Sequence, residues 1–342
     1  MKMTLQHLDL RLAHPFTIAR GSINTQRSLV VRLEHGGEYG LGEVSENSYY
    51  GHTIESMCDS LALVLPLLHD CADPTLSDWP TQLWQRTSRT LANDMFALSA
   101  LDIAAHDLWA KIQGVPLYQA WGLTWNDIPS SSYTIGIAAI DEMIAKLNEQ
   151  AGWSIYKIKL GTANDLEIVR QLRRHTDAIF RIDANCGWGP QETIDNAAEL
   201  AQMKVEFIEQ PLPSDASSTE QERVFAESKL PIIADEACQV EDDVDRCHRC
   251  FHGVNIKLCK CGGLTPALRM IQHAKSLGLK TMVGCMIESS IGISAAAHLL
   301  PLLDYADLDG ATLLQQDPAT GVKIHQGQVE MTGRPGSGAE LA

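Results

Sequence analysis

Short apolar runs, each closed by a charged residue, recur through the middle of the chain. They are 155–159 (Ile-Tyr-Lys-Ile-Lys), 179–183 (Ile-Phe-Arg-Ile-Asp), 205–209 (Val-Glu-Phe-Ile-Glu), 231–235 (Pro-Ile-Ile-Ala-Asp) and 254–257 (Val-Asn-Ile-Lys). Runs this short and this rich in β-branched residues predict buried parallel strands. Residues 183, 209 and 235 follow one another at steps of 26 residues. Each step accommodates one strand, one helix and two loops, the repeat of a β/α barrel. With further runs near 132–137, 280–286 and 305–309 the pattern gives eight strands, separated by helical stretches such as 165–174 and 266–276.

The chain before this alternation reads differently. Strands are expected at 3–12, 28–34 and 39–43, with Gly36 and Gly37 supplying a turn, so a three-stranded antiparallel meander results. Helices follow at 54–68 and at 93–112, the second starting from Asn93 as N-cap and ending before Gly114. The fold class is therefore α/β, an eight-stranded TIM-type barrel at 126–314 with a separate N-terminal α+β domain at 1–125. Residues 315–342, broken by Gly321, Gly327, Gly333, Pro335 and Gly336, are expected to pack back on that domain. The segments 16–28 and 43–53 are read as polar loops that are well placed to close over a barrel mouth, although spacing alone favours an ordinary hairpin connection and a solvated surface loop.

Composition narrows the function. A net charge of −16 over 342 residues argues against nucleic-acid or anionic-membrane partners, which need a basic face. The first twelve residues are interrupted by Lys2, Gln6, His7, Asp9 and Arg11, so no secretory leader is visible and a cytoplasmic location is expected. Nine cysteines are expected to stay reduced there. Cys247, Cys250, Cys259 and Cys261 superficially suggest zinc, but they fall on different parts of a β/α unit and read better as structural thiols.

In a parallel barrel the strand ends gather on one rim, where barrel enzymes keep their chemistry. Asp183, Glu209 and Asp235 would meet there, and three such carboxylates repel unless a cation sits between them. Oxygen-only ligands favour Mg²⁺, with Mn²⁺ as a substitute. Lys157 and Lys159 would face one side of their strand, and like-charge neighbours with a dication are expected to pull their pKa down. Lys257, on the sixth strand, would face Lys159 on the second. Two bases on opposite sides of one carbon are what stereochemical inversion requires.

The elements Tyr156-Lys-Ile-Lys-Leu-Gly161, Arg181-Ile-Asp-Ala-Asn185, Phe207-Ile-Glu-Gln-Pro211, Ala234-Asp-Glu236 and Asn255-Ile-Lys-Leu258, followed by Lys260-Cys-Gly-Gly-Leu264, resemble the muconate-lactonizing branch of the enolase superfamily. That resemblance implies an α+β capping domain on a modified (β/α)7β barrel, with Asp183, Glu209 and Asp235 as Mg²⁺ ligands and Lys159 and Lys257 as the acid/base pair. The segment 282–289, with Glu288, and the pair Asp307 and Asp309 look like the seventh- and eighth-strand ends of dipeptide epimerases, in which an Asp-x-Asp pair holds the α-ammonium. Arg20 matches a position from which some members reach a side-chain carboxylate. The implied activity is epimerisation at the C-terminal residue of a dipeptide, with L-Ala-D/L-Glu the first choice, in reuse of cell-wall peptide. Lys157, Glu288, Asp307, Asp309 and Arg20 would bind substrate. Members often form homo-oligomers, though the sequence carries no interface signal.

Three alternatives remain at this level. A cycloisomerase or o-succinylbenzoate synthase of the same superfamily would need no ammonium-binding pair. A metal-free Schiff-base lyase would use Lys159 as nucleophile. A non-catalytic binding protein would need none of the lysines.

Overall fold

The computed structural model describes residues 1–69 and 73–342; Cys71, one of the nine cysteines, lies outside them. Three antiparallel strands open the chain, β1 (Lys2–Ile18), β2 (Gly21–His35) and β3 (Glu38–Ser45), in the order β1-β2-β3. The segment 16–28 is a hairpin connection, but its turn is far shorter than the loop expected there. Past an irregularity between Arg11 and Phe16 the hairpin resumes, pairing Phe16 with Ile23 and Ile18 with Gly21, so only residues 19 and 20 turn. Its polar composition hid it, because a hairpin arm standing clear of the core lacks the apolar alternation that marks half-buried strands.

Helices α1 (Ile54–His69), α2 (Trp79–Ser88) and α3 (Met95–Ile112) follow. Asp94, not Asn93, caps α3, its Oδ1 accepting from Ala97 N at 2.9 Å. Helix α3 presses its backbone onto β3: a Cβ at Gly42 would lie 2.0 Å from Ala100 O, and one at Gly40 2.1 Å from Ala104 O. Only glycine permits that approach.

Eight parallel strands then form one sheet: β4 (Tyr133–Ile135), β5 (Ile155–Lys159), β6 (Ile179–Asp183), β7 (Val205–Glu209), β8 (Ile232–Ala234), β9 (Gly253–Ile256), β10 (Lys280–Gly284) and β11 (Tyr305–Asp307). A parallel bridge between Ser131 and Ala306 joins the ends of the sheet and closes the barrel. Helices fall in each gap, at Ile140–Glu149, Asp165–Arg173, Pro190–Leu200, Ser218–Glu227, Asp243–Cys247, Leu264–Ser276 and Ser290–Ala297. The five-residue helix Asp243–Cys247 absorbs the short step between residues 235 and 257.

Strand alternation sorts the side chains. Tyr156, Ile158, Phe180, Ile182, Ile208, Val254, Ile256 and Val283 point outward into the main core beneath the helices. Inside the barrel, Phe207, Ile233 and Met282 pack with Tyr305 as an apolar plug. Two residues beyond Phe207 and Ile233 come Glu209, at the end of β7, and Asp235, just past β8, so the inward face changes from apolar plug to charged rim within a single strand step. The tail touches both units: Gln315 N donates to Arg11 O and Gly336 N to Val115 O, while Ser131 N donates to Gly327 O.

Candidate active site

The rim brings Asp183, Glu209 and Asp235 together, with one carboxylate oxygen from each within 4.8 Å of the others and all three buried. Parallel register puts Asp183 beside both Lys159 and Glu209. Four ammonium groups surround the acids. Lys157 Nζ lies 2.8 Å from Glu209, 2.8 Å from Asp307 and 3.1 Å from Asp183. Lys159 Nζ is 2.7 Å from Asp183, and Lys257 Nζ is 2.8 Å from Asp235. Lys260 Nζ is 2.6 Å from the other oxygen of Asp235 and also meets the carbonyls of Asp235 and Asn255.

The local chain holds these groups in place. Asn255 Nδ2 donates to Glu209 Oε1 at 2.8 Å, and Gln210 Oε1 accepts from the backbone nitrogens of Asp235 and Ala237. Gln210 and Asn185, each just past a strand end, sit at φ of 35° and 46°. Left-handed backbone at a non-glycine residue is strained, and here it coincides with the turn that aims the rim residues inward. Gly284 leaves room for Lys257, whose Cε would stand 3.0 Å from a Cβ there.

Burial and charge oppose each other at the rim. Burial disfavours the charge on Lys257, but Asp235 more than compensates and holds its ammonium above the ordinary lysine value. Lys157 behaves likewise, with burial outweighed by Asp307, Glu209 and Asp183. The lowered lysine pKa expected from the Lys-x-Lys pair presupposes a dication, and without one the surrounding carboxylates set the direction at Lys157. Burial raises Asp183, yet Lys159 and Lys157 bring it below the carboxylate range. Glu209 goes the other way, pushed up to about 7 by burial and by Asp183 and Asp235 despite Lys157.

This donor set fits a hard divalent cation. It is all carboxylate oxygen, it is buried, and the oxygens converge on a common point. The cysteines do not compete: among the described residues the acidic triad is the one cluster of metal-type ligands, and Cys247, Cys250, Cys259 and Cys261 are free buried thiols.

A cavity of about 660 Å³ opens above the rim. Lys157, Lys159, Asp235, Lys257, Asp307 and Asp309 line its floor, and its outer wall comes from the β1–β2 turn and from residues 46–53. The two aspartates differ. Asp307 accepts from Ser132 Oγ on Oδ1 and from Lys157 Nζ on Oδ2, whereas Asp309 takes its hydrogen bonds from Thr134, whose backbone N donates to Oδ2. Burial and then Asp307 push Asp309 up to about 7. Arg20 reaches the cavity from the hairpin turn. Glu288 does not line the cavity; it is buried behind the wall near Glu43, and burial with that neighbouring charge holds its carboxyl well above the ordinary range.

Sequence reasoning assigned no role to Lys260, Asn255, Ser132, Gln210 or Glu236. Lys260 carried the clearest signal, since it follows Lys257 by one helical turn and the helix Leu258–Cys261 turns it back on Asp235.

Comparison with known proteins follows the same lines. Residues 2–122 match the mandelate racemase / muconate lactonizing enzyme N-terminal domain, and residues 139–342 match the enolase C-terminal domain-like family. The L-Ala-D/L-amino acid epimerase of Flavobacterium johnsoniae is 52% identical over the whole of both chains. The substrate-liganded L-Ala-D/L-Glu epimerase of Bacillus subtilis superposes with a TM-score of 0.92 at 28% identity, covering 99% of this chain and 98% of that one. The dipeptide epimerase of Cytophaga hutchinsonii, complexed with Mg and D-Ala-L-Val, gives 0.91 at 26% identity, covering 99% and 95%.

Proposed function

This chain belongs to the mandelate racemase/muconate lactonizing enzyme family, and from that premise we propose that it is an Mg²⁺-dependent dipeptide epimerase. It inverts the α-carbon of the second residue of L-Ala-D/L-Xaa dipeptides, glutamate among them. The observation that carries the reading is the placement of two lysines on opposite walls of one acidic rim. Lys159 closes β5 and Lys257 follows β9, four strands away in a closed barrel of eight, and each is paired with a different acid.

An α-proton beside a carboxylate is weakly acidic because its loss adds a second negative charge to that group. A divalent cation at Asp183, Glu209 and Asp235 would offset that charge and would cancel the carboxylate field that holds Lys257 protonated. The chain's own residues do the rest. Lys159 Nζ takes the α-proton from one face while Lys257 Nζ delivers one to the other, and the roles exchange for the opposite stereoisomer. Asp309, which lines the cavity beside Asp307, receives the substrate's α-ammonium, and Asp307 positions Lys157. Lys157 acts as a fixed positive floor rather than a base.

The pair Asp307 and Asp309 favours epimerisation over cycloisomerase or dehydratase chemistry, which needs no ammonium site. The buried acidic triad, a donor set suited to a divalent cation, argues against a metal-free Schiff-base lyase, which has no use for it. We further read residues 1–125 with 315–342 as a cap over a barrel of 126–314, and the chain as a cytoplasmic enzyme of cell-wall peptide reuse. No helix among the described residues is long and apolar enough to cross a membrane. Incubating the protein with Mg²⁺ and L-Ala-L-Glu and resolving the products on a chiral column tests the reading. Appearance of L-Ala-D-Glu is expected, and recovery of the L,L isomer alone from every L-Ala-L-Xaa tried refutes it.

A further inference from the structure

The inversion reading leaves one substituent of the α-carbon without a partner. Hydrogen faces the lysines, the carboxylate faces the acidic triad and the amide runs toward Asp307 and Asp309. The side chain must then point at the outer wall, where Arg20 stands. Arg20 is not a free cation. Its Nη2 lies 2.7 Å from Glu236 Oε1, its Nη1 donates to Asn185 O at 3.3 Å, and its guanidinium stacks 4.3 Å from the Tyr49 ring centroid. Glu236 is 2% exposed and lines the cavity, and its Oε2 is buried with no hydrogen-bond partner. A buried carboxylate oxygen left unpaired is costly and invites a donor.

Resting on the epimerase reading above, we propose that Glu236 is a specificity-determining residue: with Arg20 it forms a zwitterionic subsite for uncharged polar side chains that carry both a donor and an acceptor. A glutamine side chain satisfies both halves, its carbonyl accepting from Arg20 and its amide donating to Glu236 Oε2. A glutamate side chain must approach Arg20 beside a like charge it does not displace. The subsite therefore tolerates glutamate without selecting it.

The test compares kcat/KM for L-Ala-L-Glu and L-Ala-L-Gln in the wild type and in Glu236→Gln and Glu236→Asp, with thermal unfolding of each variant as a check on folding. The wild-type values are expected within tenfold of each other. Glu236→Gln frees Arg20 and should move the ratio at least tenfold toward glutamate, mainly through KM. Glu236→Asp, which keeps the charge, should move it less than threefold. A Glu236→Gln ratio within threefold of wild type overturns the proposal. So does a wild-type preference for glutamate above a hundredfold, which decides the matter if Glu236→Gln does not fold. Absence of epimerisation with both dipeptides and with L-Ala-L-Met would instead overturn the epimerase reading, so the two failures are distinct.

Discussion

Replacing Glu43 by alanine should loosen the joint between the first sheet and the barrel. Glu43 lies on β3, is 1% exposed, and accepts from Ser289 N at 3.0 Å, Ser289 Oγ at 2.5 Å, Gly292 N at 3.0 Å and Ser28 Oγ at 2.7 Å. Two of these donors are free backbone amides at the start of the helix Ser290–Ala297, where a carboxylate is favoured. The segment just before them carries Cys285, Met286 and Ile287, which line the cavity. In Glu43→Ala the Ser28 hydroxyl keeps an alternative acceptor in Val44 O at 3.2 Å. The two amides and the Ser289 hydroxyl do not. At about 1–3 kcal/mol for each stranded buried donor, and with partial relief from water entering the space, the loss is about 4 kcal/mol. For a chain of this length, with an unfolding entropy of about 0.7 kcal/mol per kelvin, that corresponds to a fall in melting temperature of about 6 °C. Calorimetry at pH 7.5 measures the shift, and activity should drop with it because the cavity wall loses its anchor. A loss below about 1 kcal/mol would refute the assignment of Glu43 as the clamp, since it would mean those donors find partners without it.

Other outcomes follow from the same contacts. Asp309→Asn should raise KM by about tenfold or more, through loss of a charge-assisted contact, while Asp307→Asn should lower kcat through Lys157; steady-state kinetics separate the two. EDTA should abolish turnover and excess Mg²⁺ should restore it, a titration that a metal-free lyase would ignore. His298 is fully buried, and that burial lowers it to about 4. Because the unfolded chain takes up this proton near pH 6.5 and the folded one does not, stability falls as pH drops through that range. Between pH 7 and pH 5 the loss from this residue is about 2 kcal/mol, and a His298→Asn variant should show a correspondingly shallower slope in urea midpoints.

Much of the fold was legible because the barrel strands are continuous apolar runs ending in charge, and β5 shows the pattern whole: Ile155, Tyr156 and Ile158 outside the barrel or in its core, Lys157 and Lys159 at the rim. The charged ends of β6 and β7, with Asp235 and Lys257 just past β8 and β9, located the rim for the same reason. What escaped had no periodic signature. The β1–β2 arm that carries Arg20 pairs with itself and rests on little core, so its residues carry no alternation to read. Lys260 and Glu236 lie just past strand ends, where a charge looks like ordinary loop polarity until the turn aims it inward. Gly40 and Gly42 carry no signal of their own in the sequence, and only the approach of α3 shows why a side chain is excluded there.

The central claim is that Lys159 and Lys257 serve opposite faces of one carbon. Incubation of L-Ala-L-Glu and L-Ala-D-Glu in D₂O with Mg²⁺, followed by mass spectrometry of each stereoisomer, measures it in the wild type and in Lys159→Ala and Lys257→Ala. The wild type should place deuterium at the α-carbon of both isomers. Each variant should lose epimerisation, and the two should differ in which isomer still exchanges its α-proton. Epimerisation at the wild-type rate in Lys257→Ala, or residual exchange of the same isomer in both variants, would contradict the two-base account.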